Sequence, residues 1–119
     1  MGFTFDNERP IYVQLVEQIR LKIISGEYKM NEKLPSVRDF ASIAKANPNT
    51  VQRALTKLEE EGLIYTESTS GKFVTNDEKI INDIKNNIIK GKVSTLISDM
   101  ESLGIKKEEI IKYFKNMKG

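Results

Sequence analysis

The chemistry in this sequence is concentrated in one polar run, residues 47–57, which contains amide, hydroxyl and cationic side chains. The first carboxylate after this run is Glu59, and two more follow it directly. Amide, hydroxyl and guanidinium groups hydrogen-bond to base edges when a helix lies in the major groove of DNA, whereas carboxylates are repelled by phosphate. The run therefore predicts a surface that reads DNA, and an ordinary solvated helix face is the alternative.

Two short helices should position this run. Apolar residues repeat at helical spacing over Val37–Ala44, directly after Ser36, whose hydroxyl can cap a helix. They repeat again over Val51–Leu58, after Asn47 and Asn49, either of which can cap a second helix. Because each helix is too short to be stable alone, the two must bury their apolar faces against each other. The pattern predicts a helix-turn-helix.

A β-hairpin is predicted directly after the second helix. Gly62 is a helix stop, and the β-prone residues Leu63–Tyr65 and Phe73–Val74 flank a turn rich in serine, threonine and glycine, Thr66–Lys72. A helix-turn-helix followed by a hairpin is the winged form of the motif. The expected fold class is therefore mainly α with a small β-hairpin.

A resemblance to the DNA-binding domain of GntR-type bacterial repressors is carried by four segments in order, LPSVRDFA, NPNTVQRAL, LEEEGLIYT and GKFV. The run NPNTVQRA is most similar to the small YtrA-like branch of that family. The resemblance implies a winged helix-turn-helix DNA-binding domain over residues 10–75 and a two-helix dimerisation segment over residues 77–119. It also implies a transcriptional regulator, typically a repressor, that binds a palindromic double-stranded DNA operator as a homodimer.

The predicted wing departs from the family pattern. Wings of this family usually read basic-basic-Gly-x-Gly, but Glu67, Ser68 and Thr69 stand at the two basic positions and the first glycine, which leaves Gly71 and Lys72. We therefore expect this wing to bind DNA more weakly than the family pattern implies.

The residues expected to contact DNA lie on the two helices and the wing. We expect amide and hydroxyl groups to reach base edges or nearby phosphates, the arginines to hold phosphates, and the wing tip to approach the backbone or the minor groove. The full set is Ser36, Arg38, Asn47, Asn49, Thr50, Gln52, Arg53, Ser68, Thr69, Ser70, Gly71 and Lys72. For Arg53 an ion pair with Glu59 or Asp39 is the alternative.

Composition argues against an enzyme. The chain has no cysteine and no histidine, so the usual zinc ligands, the Cys-His and Ser-His-Asp nucleophiles and the commonest general base are absent. No recognisable carboxylate pair or glycine-rich phosphate loop occurs, and no cofactor or metal is expected. Since no targeting segment or membrane-spanning run is recognisable, a cytoplasmic location without membrane contact is expected.

Overall charge does not support DNA binding by itself. Residues 1–75 contain 10 basic and 10 acidic side chains, so the proposed DNA-binding half is neutral. Phosphate affinity must then depend on where the cations are placed. A winged helix used for protein–protein contact is the alternative that this neutrality keeps open.

The N-terminal region should complete the winged domain. Residues 1–9 form an arm with Phe3 and Phe5 in alternation, and a helix is predicted from Pro10 to Gly26. Its apolar stripe, including Tyr12, is interpreted as core.

After residue 77 the sequence predicts two more amphipathic helices, and Gly91 either kinks the first or lies inside one long helix. Beyond a first stripe of isoleucines, a second stripe has spacings of four, three, four and three residues. Its members are Ile89, Val93, Leu96, Met100 and Leu103. We expect this stripe to form a homodimer interface, because so much apolar surface is unfavourable in water. A small-molecule effector site between the two copies stays open.

Overall fold

The computed structural model describes residues 2–117. The elements are α1 (Ile11–Ile24), α2 (Val37–Ala44), α3 (Pro48–Glu60), β1 (Ile64–Glu67), β2 (Gly71–Val74), α4 (Glu78–Ser102) and α5 (Lys107–Asn116). The predicted fold class is confirmed. Contacts within the chain form two compact units, one ending at Asn82 and one beginning at Asp83. The predicted division between residues 75 and 77 stays a prediction.

Local capping explains where α2 and α3 begin. The Ser36 hydroxyl accepts a hydrogen bond from the backbone N–H of Asp39 at 3.0 Å. The side-chain oxygen of Asn47 accepts one from the N–H of Asn49 at 2.8 Å, so Asn47 is the cap of α3 and Asn49 lies in its first turn. Between the two helices Lys45 is left-handed with φ 53°, which reverses the chain without a glycine.

The core of the first unit lies between α1, α2, α3 and the hairpin. Its largest fully buried side chains come from every one of these elements, and they include Phe40, Leu15, Ile19, Leu55, Leu58, Leu63, Val51 and Val74. Each such side chain contributes about 1.5–3 kcal/mol through burial. The N-terminal arm covers one side of this core, where the rings of Phe3 and Phe40 lie 6.2 Å apart between centroids.

The wing is an antiparallel hairpin whose strands are longer than the sequence predicts. Ile64 pairs with Val74 and Glu67 pairs with Gly71, so the turn contains only residues 68–70. The assignment of Thr66, Glu67, Gly71 and Lys72 to the turn is therefore wrong, since the first two lie in β1 and the last two in β2. The segment before α2 adds a short bridge to the same strand, between Lys33 and Phe73.

The second unit contains most of α4 together with α5. Helix α4 has 25 residues and is continuous through Gly91. Gly104, with φ 86°, follows its end, and α5 begins at Lys107. Ile110 is buried within this unit, whereas most of the second stripe of α4 is exposed. The early turns of α4 belong to the first unit, where Ile81 is buried.

Candidate nucleic-acid interface

Helix α3 presents the polar run on its exposed side. Val51, Ala54, Leu55 and Leu58 are buried, which follows from their helical spacing. The opposite side exposes Gln52, Arg53, Thr56 and Lys57. The amide nitrogen of Gln52 donates to the Thr56 hydroxyl at 3.2 Å, which orients the glutamine along the helix surface.

The N-terminal end of α3 has fewer free groups than the sequence suggests. The side-chain oxygen of Asn47 is used in the cap, so only its NH₂ group remains available as a donor. Asn49 is exposed, and Thr50 is half-buried. Asn49 is therefore the least constrained of these side chains and the best placed to adapt to a base edge.

Arg38 and Ser36 lie at the start of α2. Both are exposed, and the Ser36 hydroxyl can still donate while its oxygen accepts from Asp39. Among residues 2–117 Arg38 forms no ion pair, so its guanidinium is not neutralised by a neighbouring carboxylate.

Arg53 contacts an aromatic ring instead of a carboxylate. Its Cζ atom lies 4.1 Å from the centroid of the Tyr12 ring, and neither Glu59 nor Asp39 pairs with it in the described part of the chain. The sequence assigns Tyr12 to the core, whereas the structure leaves its ring half-buried and in contact with Arg53 of α3. This assignment is wrong in part, because helical spacing does not distinguish the edge of an apolar stripe from its centre.

The wing tip and the wing lysine have different environments. Ser68, Thr69 and Ser70 are exposed in the turn. Lys72 lies in β2, and its Nζ is 3.0 Å from Oε1 of Glu59 and 3.0 Å from the Thr66 hydroxyl. Partial burial of Glu59 opposes its ionisation, but the hydrogen bonds from Lys72 and Thr66 outweigh it, so the pKa of the Glu59 carboxyl is lowered.

A groove separates the wing from the start of α2. It has a volume of about 320 Å³, and its lining includes Ser36, Lys33 and the residues of the wing tip. Gly71 has φ 111°, and a Cβ there would lie 3.3 Å from Cε of Lys33, so a side chain at this position would be both strained and crowded. Lys33 is exposed beside the wing, although as a single lysine it has no sequence signal beyond its charge.

The acidic end of α3 is largely neutralised internally. Glu59 pairs with Lys72, and Glu61 pairs with Arg20 of α1 through two hydrogen bonds. The hydrogen bond to Glu61 outweighs burial and raises the pKa of Arg20. Two of the three carboxylates at this end of the helix are therefore already paired. The cations Arg38, Arg53 and Lys57 form no ion pair within residues 2–117.

The described residues hold neither a metal-ion site nor a membrane-spanning helix. They contain no group of three or more acidic, histidine or cysteine side chains placed to hold a metal ion. None of the helices within residues 2–117 combines the length and apolarity that crossing a membrane requires. The arrangement offers hydrogen-bond donors, acceptors and cations on the outer face of a helix-turn-helix, and it is suited to contacting a polyanion.

Comparisons with known proteins agree with this arrangement. The family described as bacterial regulatory proteins, gntR family, matches residues 11–74. The HTH-type transcriptional repressor YtrA of Bacillus subtilis is 36% identical over 109 residues, which are 91% of this chain and 84% of YtrA. YtrA is named a transcriptional repressor, which agrees with the non-enzymatic role that the composition of this chain leads us to expect.

Solved structures extend the agreement to the whole fold. A GntR family transcriptional regulator from Listeria monocytogenes is 42% identical with a TM-score of 0.88, and the match covers 96% of this chain and all of that one. The domain AraR(DBD), solved in complex with operator ORX1, matches 63% of this chain and 99% of its own at 23% identity and a TM-score of 0.58, which shows the fold alone. The family match, the YtrA relationship and the shared fold together show that this chain belongs to the gntR family of bacterial regulatory proteins.

Proposed function

We propose that this chain is a cytoplasmic, homodimeric repressor that binds a palindromic operator in double-stranded DNA. The observation that carries the proposal is the exposed side of α3. It presents amide, hydroxyl and cationic groups at its N-terminal and central turns, while Glu59 and Glu61 at its C-terminal end are paired internally. A helix that contacts base edges through its N-terminal end in a major groove needs this distribution.

The roles within the site follow from chemistry and position. Asn47, Asn49, Thr50 and Gln52 present amide and hydroxyl groups that match base edges or nearby phosphates. The guanidinium groups of Arg38 and Arg53 form no internal ion pair within residues 2–117, and they suit phosphate oxygens. Ser36 and the turn residues 68–70 line the groove between the wing and the start of α2. From there they would contact the DNA backbone or the minor groove of the DNA. Gly71 keeps the wing close to Lys33.

We assign dimerisation to the second stripe of α4. Ile89, Val93 and Leu103 are 49%, 48% and 74% exposed, and Leu96 and Met100 continue the same face. Apolar surface of this extent on one helix favours burial against another protein surface. A second copy presents the same stripe, so a two-fold interface satisfies both surfaces at once.

A small-molecule effector is less well supported than a second copy as the occupant of this region. Two apolar grooves among the described residues of the second unit have volumes of about 230 and 320 Å³. Drug-sized pockets span about 300–1,000 Å³, so these grooves lie at or below the lower end of that range. An effector of ordinary size bound in this unit would therefore need a cavity formed between two copies.

The sign of regulation is proposed from a relative. YtrA of Bacillus subtilis is named a repressor. A dimer covering two half-sites on one DNA face would block access to that DNA. The cytoplasmic location follows from the same proposal, because bacterial operators lie there.

Selection of bound duplexes from random DNA tests the proposal. We expect an inverted repeat whose half-sites lie about 10–10.5 base pairs apart, because two α3 helices related by a two-fold axis enter successive major grooves. Recovery of no enriched sequence would contradict it. In that case a DNA affinity that changes little with salt would favour the protein-contact alternative, since phosphate contacts release counterions.

A further inference from the structure

Tyr12, in the first turn of α1, contacts the DNA-reading helix through the face of its ring. The guanidinium carbon of Arg53 lies 4.1 Å above the ring centroid. At this distance the negative face of an aromatic ring attracts a cation. The ring is half-buried and the arginine is exposed, so the ring forms a fixed support beneath a side chain that faces solvent.

This contact leaves the donors of Arg53 available. A guanidinium has five N–H donors, and no hydrogen bond within residues 2–117 uses one of those on Arg53. Within residues 2–117 Arg53 forms no ion pair that would compete for them. A groove of about 260 Å³ opens beside the pair, between α1 and α3, and Gln52 and Lys57 also line it.

A second contact holds α1 in register with α3. Arg20 Nε donates to Glu61 Oε1 at 2.9 Å, and both residues lie eight positions beyond the first pair, Tyr12 and Arg53. Eight residues of helix rise about 12 Å, so the two contacts are separated by more than two turns on each helix. Tyr12 therefore cannot shift along α3 without breaking the Arg20–Glu61 pair.

We infer that Tyr12 is a positioning residue for DNA binding, whose ring holds the Arg53 guanidinium ready to bind a backbone phosphate beside the groove read by α3. The inference rests on the proposed DNA-binding function and adds the group that supports one of its phosphate contacts. A free arginine loses rotamer entropy when it is immobilised on DNA, and the ring reduces that loss because the side chain is already restricted. The tyrosine hydroxyl has no part in this role.

A double-mutant cycle on the full chain, with the selected operator as probe, tests the inference. Arg53→Ala should weaken binding to operator and random duplexes by similar factors. It should also make the slope of log K against log[salt] shallower by about 0.9 for each phosphate that is no longer neutralised. Tyr12→Leu should weaken binding by about two- to fivefold, which is the range expected for an exposed cation–π contact. Tyr12→Phe keeps the ring and should bind like the original protein. In the Arg53→Ala background, Tyr12→Leu should weaken binding no further.

Three results would overturn the inference. Full additivity of Tyr12→Leu and Arg53→Ala would show that the ring acts independently of the arginine. A loss of affinity in Tyr12→Phe equal to that in Tyr12→Leu would assign the effect to the hydroxyl. An unchanged salt dependence of binding in Arg53→Ala would show that Arg53 does not contact a phosphate. If the same variant kept its sequence preference, the proposed function would still hold. Thermal unfolding of Tyr12→Leu gives the fraction of the variant that is folded at the temperature of the binding titration. If the variant is fully folded and still binds DNA more weakly, the loss is due to impaired positioning and not to general destabilisation.

Discussion

The Nζ atom of Lys72 in β2 lies 3.0 Å from Oε1 of Glu59 in α3, so the wing is joined to the C-terminal end of the proposed DNA-reading helix. The Thr66 hydroxyl hydrogen-bonds to both partners and completes the cluster. The Lys72 side chain is 19% exposed. A lysine that the sequence assigns to DNA is therefore engaged in an internal link, and its contact with phosphate stays a prediction.

Release of Lys72 should strengthen DNA binding. Glu59→Gln removes a carboxylate near the site and frees the ammonium group, so we expect higher affinity for operator and random duplexes alike, most clearly at low salt. Glu67→Gln is the matched control, because it removes one wing carboxylate that forms no ion pair within the described residues. Fluorescence titrations over a range of salt concentrations measure both variants. Equal gains in the two would show that Lys72 contributes nothing when freed.

The same link should make folding stability depend on pH. The folded-state pKa of Glu59 is lowered from its ordinary value of 4.5, because hydrogen bonds from Lys72 and Thr66 outweigh the opposing effect of burial. The contribution of this carboxylate is therefore fully present above the ordinary pKa and is lost as the pH falls through the lowered one. For a partly exposed pair we expect about 0.5–1 kcal/mol at neutral pH. Urea unfolding of the original protein and Glu59→Gln should differ at about pH 7 and converge in acid. A difference that grows as the pH falls would contradict the sign.

Arg38→Ala should weaken binding without changing sequence preference. The guanidinium lies exposed in the first turn of α2 with no internal ion-pair partner among the described residues, so it is suited to the phosphate backbone. We expect the slope of log K against log[salt] to become shallower by about 0.9 per phosphate, and therefore by about two in a dimer, which has two copies of Arg38. Lys85→Ala removes an exposed cation from α4 and should leave binding nearly unchanged. A fall in affinity with an unchanged salt dependence would show that Arg38 is structural.

Charges placed on the second stripe of α4 should prevent dimerisation. Leu96→Asp with Met100→Asp would bury unpaired carboxylates at the proposed interface, which costs several kcal/mol. Thr95→Asp with Ser98→Asp puts the same charge on exposed positions outside the stripe and should leave the dimer intact. Sedimentation at micromolar concentration measures both. If the first variant stayed dimeric, the interface would have to lie elsewhere in the chain. The N-terminal arm around Phe3 and Phe5 would then be the next surface to test.

Local rules predict most of the fold. Capping of α2 by Ser36, capping of α3 by one of the two candidate asparagines and the stop at Gly62 are each decided by a few neighbouring residues, and the structure has all three, with Asn47 as the cap of α3. The assignment of Gly71 and Lys72 to the turn failed because strand pairing across a hairpin extends as far as hydrogen bonds can form, which turn-forming residues alone do not show.

The candidate site is less predictable where it depends on contacts between distant residues. Tyr12 and Arg53 are far apart in the chain, and no periodicity along one helix indicates which side chain of another will cover it. Glu59 could pair with Arg53 on sequence grounds, but the wing brings Lys72 to it instead. Such choices among charged partners depend on tertiary geometry, so the sequence leaves several pairings open.

The most direct measurement for the central claim compares Gln52→Ala with the original protein on the selected operator and on random duplex DNA. Gln52 is exposed at the middle of the polar run, where its amide can form paired hydrogen bonds to a base. If α3 reads bases, the variant should lose about 1–3 kcal/mol of affinity for the operator and much less for random DNA, with relaxed preference at one or two positions. An equal loss of affinity for both kinds of DNA, or an unchanged affinity for the operator, would contradict the assignment of α3 as the helix that reads the sequence.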